Sequence, residues 1–77
     1  MIVFPEEMLN AAHNIKWLRA ENKLTQAEMA KLLKITPASL RRIERGDFPE
    51  RLRVMVPFRI SVQFDIRPAD LFSKRLG

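Results

Sequence analysis

The chain has no cysteine, a single histidine (His13) and only two glycines in 77 residues. Without cysteine there is no disulfide scaffold, no thiolate metal site and no cysteine nucleophile. A zinc site built on histidine needs more than one imidazole, so no metal is expected. Any Ser-His-Asp arrangement would have to use His13, which reads as a surface or packing residue. Paired carboxylates, a phosphate loop and a nucleophile motif are all missing, so the sequence gives catalysis no support. Long apolar runs are missing too. The longest, residues 1–4 and 54–58, fall far short of the about 20 needed to cross a bilayer. No basic residue precedes the apolar start, which argues against a secretory leader and makes the cytoplasm the expected address. The glycine shortage and 30% charged residues exclude a flexible low-complexity chain. Internal repeats are absent as well.

What is present fits one small domain, residues 1–77. Hydrophobic residues make up 47% of the chain, enough for a compact core without covalent staples. Fourteen Lys and Arg against nine Asp and Glu leave a formal +5. That excess points to a polyanionic partner and is silent on the fold. It is unevenly placed. Residues 1–30 carry three bases and four acids, a sum of −1; residues 31–77 carry eleven bases and five acids, a sum of +6. The densest run is Arg41, Arg42, Arg45, Arg51 and Arg53.

Helical punctuation explains where those arginines go. Pro5 followed by Glu6 and Glu7 predicts a first turn, with proline at N1 and acids on the positive end of the dipole. Ala11, Ile15 and Leu18 recur at helical spacing, and Asn22-Lys23 ends the helix. Thr25 with Glu28 three residues on is a capping box. A short helix over 26–33 follows, with Met29, Ala30, Leu32 and Leu33 on its apolar side. Thr36 suits an N-cap and Pro37 suits N1. The next helix runs through Arg45, and Gly46 stops it. Leu40 and Ile43 share one face of it. The opposite face carries Ala38, Arg41, Arg42 and Arg45. Two short helices joined by Lys34-Ile35-Thr36 make a helix-turn-helix layout.

Residues 51–67 read two ways. Apolar residues at every second position from Leu52 to Ile66 give the period of a strand. The same residues form two series at i, i+4 spacing: 52-56-60-64 and 54-58-62-66. Those would make a helix over Val54–Phe64, apolar on two faces, with Pro57 tolerated in its first turn. Asp70, Leu71 and Phe72, just after Pro68, predict a last short helix.

The stretch from Leu24 to Leu33, LTQAEMAKLL, together with ITPASLRRIERG from Ile35 to Gly46, resembles the phage repressor and Cro-like helix-turn-helix regulators. Ile15-Lys-Trp-Leu-Arg19 resembles the upstream motif of the same family. Residues 60–66 with Pro68–Phe72 resemble its closing pattern. The resemblance spans about residues 14–72. It departs from the family at Lys34, where glycine is usual, at Pro57, where leucine is usual, and in a slightly longer linker over 47–52.

The resemblance implies an all-α fold of five helices with the motif at helices two and three; a Cro-like branch with strands at 51–67 is the alternative. It implies a regulator bound to double-stranded DNA, with helix 37–45 entering the major groove N-terminus first. The base-facing positions are then Pro37, Ala38, Ser39, Arg41 and Arg42, with Arg42 suited to hold guanine bidentately. Gln26, at the start of its helix, is a phosphate contact. Arg45, Lys34, Arg51 and Arg53 are further phosphate candidates. Arg19 and Glu44 form an internal ion pair. Leu18, Leu24, Met29, Ala30, Leu33, Ile35, Leu40 and Ile43 make the core.

A homodimer on a palindromic operator is expected, because one copy makes few base contacts. Its interface is drawn from Phe58, Val62 and Ile66 on the doubly apolar fourth segment. Trp17 either packs against Met1–Phe4 or anchors a partner. The same motif would also serve an antitoxin, a restriction–modification controller or a protein-interaction module. No effector segment accompanies it, so neither a cofactor nor a small-molecule ligand is expected.

Overall fold

The computed structural model describes residues 5–77 and is all-helical, with five α-helices and no strand among them. In order they are α1 (Glu6–Glu21), α2 (Gln26–Leu33), α3 (Pro37–Glu44), α4 (Met55–Phe64) and α5 (Pro68–Ser73). A 3-10 turn, Glu50–Leu52, which the sequence pattern did not predict, starts after Pro49 and leads into α4. The long first helix packs against α5 and α3; α2 packs against α3 and α4.

Most boundaries fall within one residue of the sequence reading. Pro5 takes the N-cap position, not N1, because its ψ of 150° is extended while its carbonyl already accepts from Met8 and Leu9. Helix α3 ends at Glu44, with Arg45 as its C-cap. There the amide of Gly46 donates to Ile43 O and that of Asp47 to Arg42 O, which closes a Schellman turn around Gly46 at φ 96°. Val54 is the N-cap of α4, so Pro57 sits in the first turn, where its missing N–H costs no helical bond.

With two glycines in the chain, the other helix ends fall to side-chain-bearing residues. Lys23, Lys34 and Asp65 all hold left-handed φ of 55–57°. Lys34 therefore takes the strained backbone itself. Its amide donates to Lys31 O and that of Ile35 to Ala30 O, so the turn keeps the geometry glycine would give it.

The strand alternative for 51–67 fails, and the two i, i+4 series show why. Leu52, Val56 and Ile60 are buried on one side of the α4 region, while Val54, Phe58 and Val62 stay exposed on the other. Among the described residues fourteen side chains form the core, from Met8, Ala11, Ile15 and Leu18 on α1 to Leu71 on α5. Phe48 and Leu52 from the linker belong to it, and Phe48 packs on Phe72 with ring centroids 6.0 Å apart. Full burial of such a side chain contributes about 1.5–3 kcal/mol. Leu24 and Ile35 are only partly buried, packed against this cluster. Trp17 also packs on it, with Gly77 so close to the indole that a Cβ there would clash. The expected contact of Trp17 with Met1–Phe4 lies outside the described residues.

Two asparagines interrupt the apolar stripe of α1 and are buried with it. Asn14 is fully buried; its Nδ2 donates to Leu71 O and Lys74 O, both at 2.7 Å, and its Oδ1 accepts from the Leu76 amide at 2.8 Å. Asn10 donates to Phe72 O at 3.0 Å. Together they bind α5 and the segment after it onto α1.

Candidate nucleic-acid interface

The geometry of α2 and α3 is fixed by caps written in the local sequence. Thr25 Oγ1 accepts from the Glu28 amide at 3.1 Å while Glu28 Oε1 accepts from the Thr25 amide at 2.8 Å. Donation by the Thr25 amide, and then by its hydroxyl, holds the Glu28 carboxyl below the ordinary glutamate range. At α3, Thr36 Oγ1 accepts from the Ser39 amide at 3.1 Å and donates to Ser39 Oγ at 3.0 Å. Proline at the next position is pre-set for the helix.

Beneath these two helices an ion pair joined by a neutral amide sets their mutual orientation. Glu44, its side chain 4% exposed, accepts from Arg19 Nε at 2.8 Å and Nη2 at 3.1 Å. Gln26 Nε2 donates to the same carboxylate at 3.1 Å. Arg19 Nη1 also reaches Leu24 O at 3.3 Å. The bonds to Glu44 raise the Arg19 pKa; burial opposes this and Coulomb attraction adds to it. One carboxylate on α3 thus joins the end of α1 to the start of α2.

Above it, Ala38, Arg41, Arg42 and Arg45 are exposed. They line a groove of about 580 Å³ with Lys16, Arg19, Gln26 and Glu44. Arg42 Nε donates to Asp47 Oδ2 at 2.9 Å, across the Schellman turn. Among the described residues its two Nη groups have no partner, so the guanidinium is oriented while its terminal fork stays open to an outside acceptor pair.

The helix-turn-helix family profile matches residues 15–71. The chain belongs to the repressor- and Cro-like helix-turn-helix family. No curated protein and no solved structure matches it. At the level the family supports, this helix-turn-helix protein is a DNA-binding regulator. No described helix is long and apolar enough to cross a membrane.

Within that frame the expected site residues separate into groups. Pro37 and Ala38 are exposed on the first turn of α3, and Ser39 is half-buried with its oxygen engaged by Thr36. Gln26 is half-buried, with one of its amide hydrogens committed to Glu44. Lys34 and Arg51 line one depression with Thr36 and Ser39, at the N-terminal end of α3. Arg53 does not line it; its Nε donates to Phe48 O at 3.1 Å and ties the linker. Arg19 Nε and Glu44 Oε2 lie 2.8 Å apart.

Phe58 and Val62 are 64% and 67% exposed, whereas Ile66 is partly buried against the core. Val54, 83% exposed, takes the remaining place on that stripe. Sequence reasoning missed Asp47, whose bond to Arg42 depends on the turn at Gly46. It also missed Arg59, whose Nη1 donates to Leu33 O at 2.8 Å, capping α2 with the cation its C-terminus favours.

Proposed function

We propose that the protein is a sequence-specific transcriptional regulator that inserts α3 into the major groove of operator DNA. The observation that carries this is the capped, braced α3, whose outward face presents Ala38, Arg41, Arg42 and Arg45. Arg42 reads guanine O6 and N7 through its free Nη pair, with Asp47 holding the guanidinium plane. Pro37 and Ala38 offer apolar contact, such as to a thymine methyl, and Ser39 and Arg41 complete the base-facing set. Lys34, Arg45 and Arg51, with the start of α2 at Gln26, hold phosphates on either side; Arg53 is the outlying candidate.

Two copies bind a palindrome, paired through the exposed Val54, Phe58 and Val62 stripe of α4 and the adjoining Ile66. Leaving three large apolar side chains in water on one helix face is what favours a protein contact there. Sedimentation at micromolar concentration is expected to give a dimer, with Phe58→Glu shifting it to monomer; a wild-type monomer on its own and on DNA contradicts the pairing. The DNA reading itself is tested by binding to a duplex across a salt series. Affinity is expected to fall steeply between about 50 and 200 mM salt. Affinity independent of salt favours instead a protein-interaction module built on the same motif.

A further inference from the structure

The first groove continues past the recognition helix. Lys16 and Arg45 line both it and a second depression of about 210 Å³, which is completed by His13 of α1 and Arg75 of the segment after α5. The basic surface therefore runs from Arg42 over Arg45 and Lys16 to Arg75, across three parts of the chain. Glu44 lines both depressions, yet its carboxylate is 4% exposed and already held by Arg19 and Gln26. Its charge is answered inside the protein, so Lys16, Arg45 and Arg75 are left uncompensated by it.

The segment that bears Arg75 is fixed on both sides. Asn14 holds Lys74 O at 2.7 Å and the Leu76 amide at 2.8 Å, and His13 Nε2 lies 3.1 Å from Gly77 O. A pinned backbone reduces the entropy lost when Arg75 engages a ligand. We propose that Lys16 and Arg75 form, with Arg45, a phosphate-binding track for double-stranded DNA, so that the segment after α5 is part of the DNA interface. The track rests on the DNA reading above and enlarges it: the backbone is gripped by α1 and residues 74–77 as well as by the motif.

The probe is a random-sequence DNA duplex, and the readout is the slope of log affinity against log salt for the full chain. Lys16→Gln and Arg75→Gln are each expected to lower the slope by about 0.9 per protomer, and the double variant by about 1.8. Both side chains belong to exposed residues, and an unchanged thermal midpoint confirms that the variants fold. Lys31→Gln, which lines a different depression with Leu32 and Gln63, is expected to leave the slope unchanged. Wild-type binding with an unaltered slope in the double variant overturns the track and leaves the DNA reading standing. A wild type that does not bind the duplex overturns both. Loss of slope in Lys31→Gln equal to that in the double variant also overturns the track, because the effect is then general charge.

Discussion

Asn14 offers the sharpest test of how α1 and the segment after α5 are joined. Its side chain is fully buried and makes three hydrogen bonds of 2.7, 2.7 and 2.8 Å. Asn14→Ala removes all three. Leu71 is fully buried, so its carbonyl has no ready route to water. Leaving such a group unpaired costs about 1–3 kcal/mol. Lys74 is exposed and Leu76 half-buried; their groups can turn to solvent, so each lost bond there costs about 1 kcal/mol. The sum, roughly 3–5 kcal/mol, is a large part of the about 5–15 kcal/mol available to a folded domain. At about 4–8 °C per kcal/mol for a domain this size, the melting midpoint falls by at least ~12 °C.

Urea unfolding of wild type, Asn14→Ala, Asn14→Asp and Asn10→Ala measures this directly. Asn14→Asp keeps the acceptor for Leu76 but turns a carboxylate oxygen toward two carbonyls, so it is expected to be no better than alanine. Asn10→Ala loses one 3.0 Å bond and is expected to cost about 1 kcal/mol. An Asn14→Ala protein within about 0.5 kcal/mol of wild type, or one less destabilised than Asn10→Ala, refutes the reasoning.

Arg19→Met leaves Glu44 with Gln26 as its remaining side-chain donor; the expected loss is about 3 kcal/mol, at the low end for a broken buried pair because Arg19 stays 22% exposed. Adding Glu44→Met should restore most of that stability, and a double-mutant cycle with no coupling argues against the pair as a brace. Lys34→Gly relieves a left-handed backbone worth roughly 1–2 kcal/mol but adds chain entropy of about 0.5–1 kcal/mol, so thermal melting should show a small net gain; a loss would mean the Lys34 side chain contributes more than its backbone costs. The lowered pKa of Glu28 means that its contribution to stability is complete above the ordinary glutamate value and is lost as pH falls through the lowered one. An NMR titration should place its midpoint below that of a free glutamate, and Glu28→Gln should remove this part of the acid sensitivity; a midpoint at or above the free value contradicts the capping box.

How much of this could be read from the chain depended on distance along it. The caps at Thr25, Thr36 and Gly46 were legible because each is closed by residues within a few positions. Helix α4 was legible in its two i, i+4 series, and the interface was drawn from the one that stays exposed at Phe58 and Val62. The ends of that series were not legible: packing against the core leaves Ile66 partly buried, while Val54, left out of the expected interface, is exposed. The Arg19–Glu44 pair came from the family pattern; local spacing could not supply partners 25 residues apart. The bonds of Asn14, to partners 57 to 62 residues away, had no local signal at all. Lys16 and Arg75 were ordinary surface charges until the fold brought α1 and residues 74–77 beside Arg45.

The most direct measurement of α3 as a major-groove reader is selection of bound sequences from a random DNA pool, run in parallel on wild type and Arg42→Ala. A two-fold symmetric motif is predicted for wild type, containing a guanine whose enrichment disappears in the variant at a cost of about 1–3 kcal/mol, with the other positions kept. No enriched motif, or a motif that Arg42→Ala leaves intact at every position, contradicts the assignment.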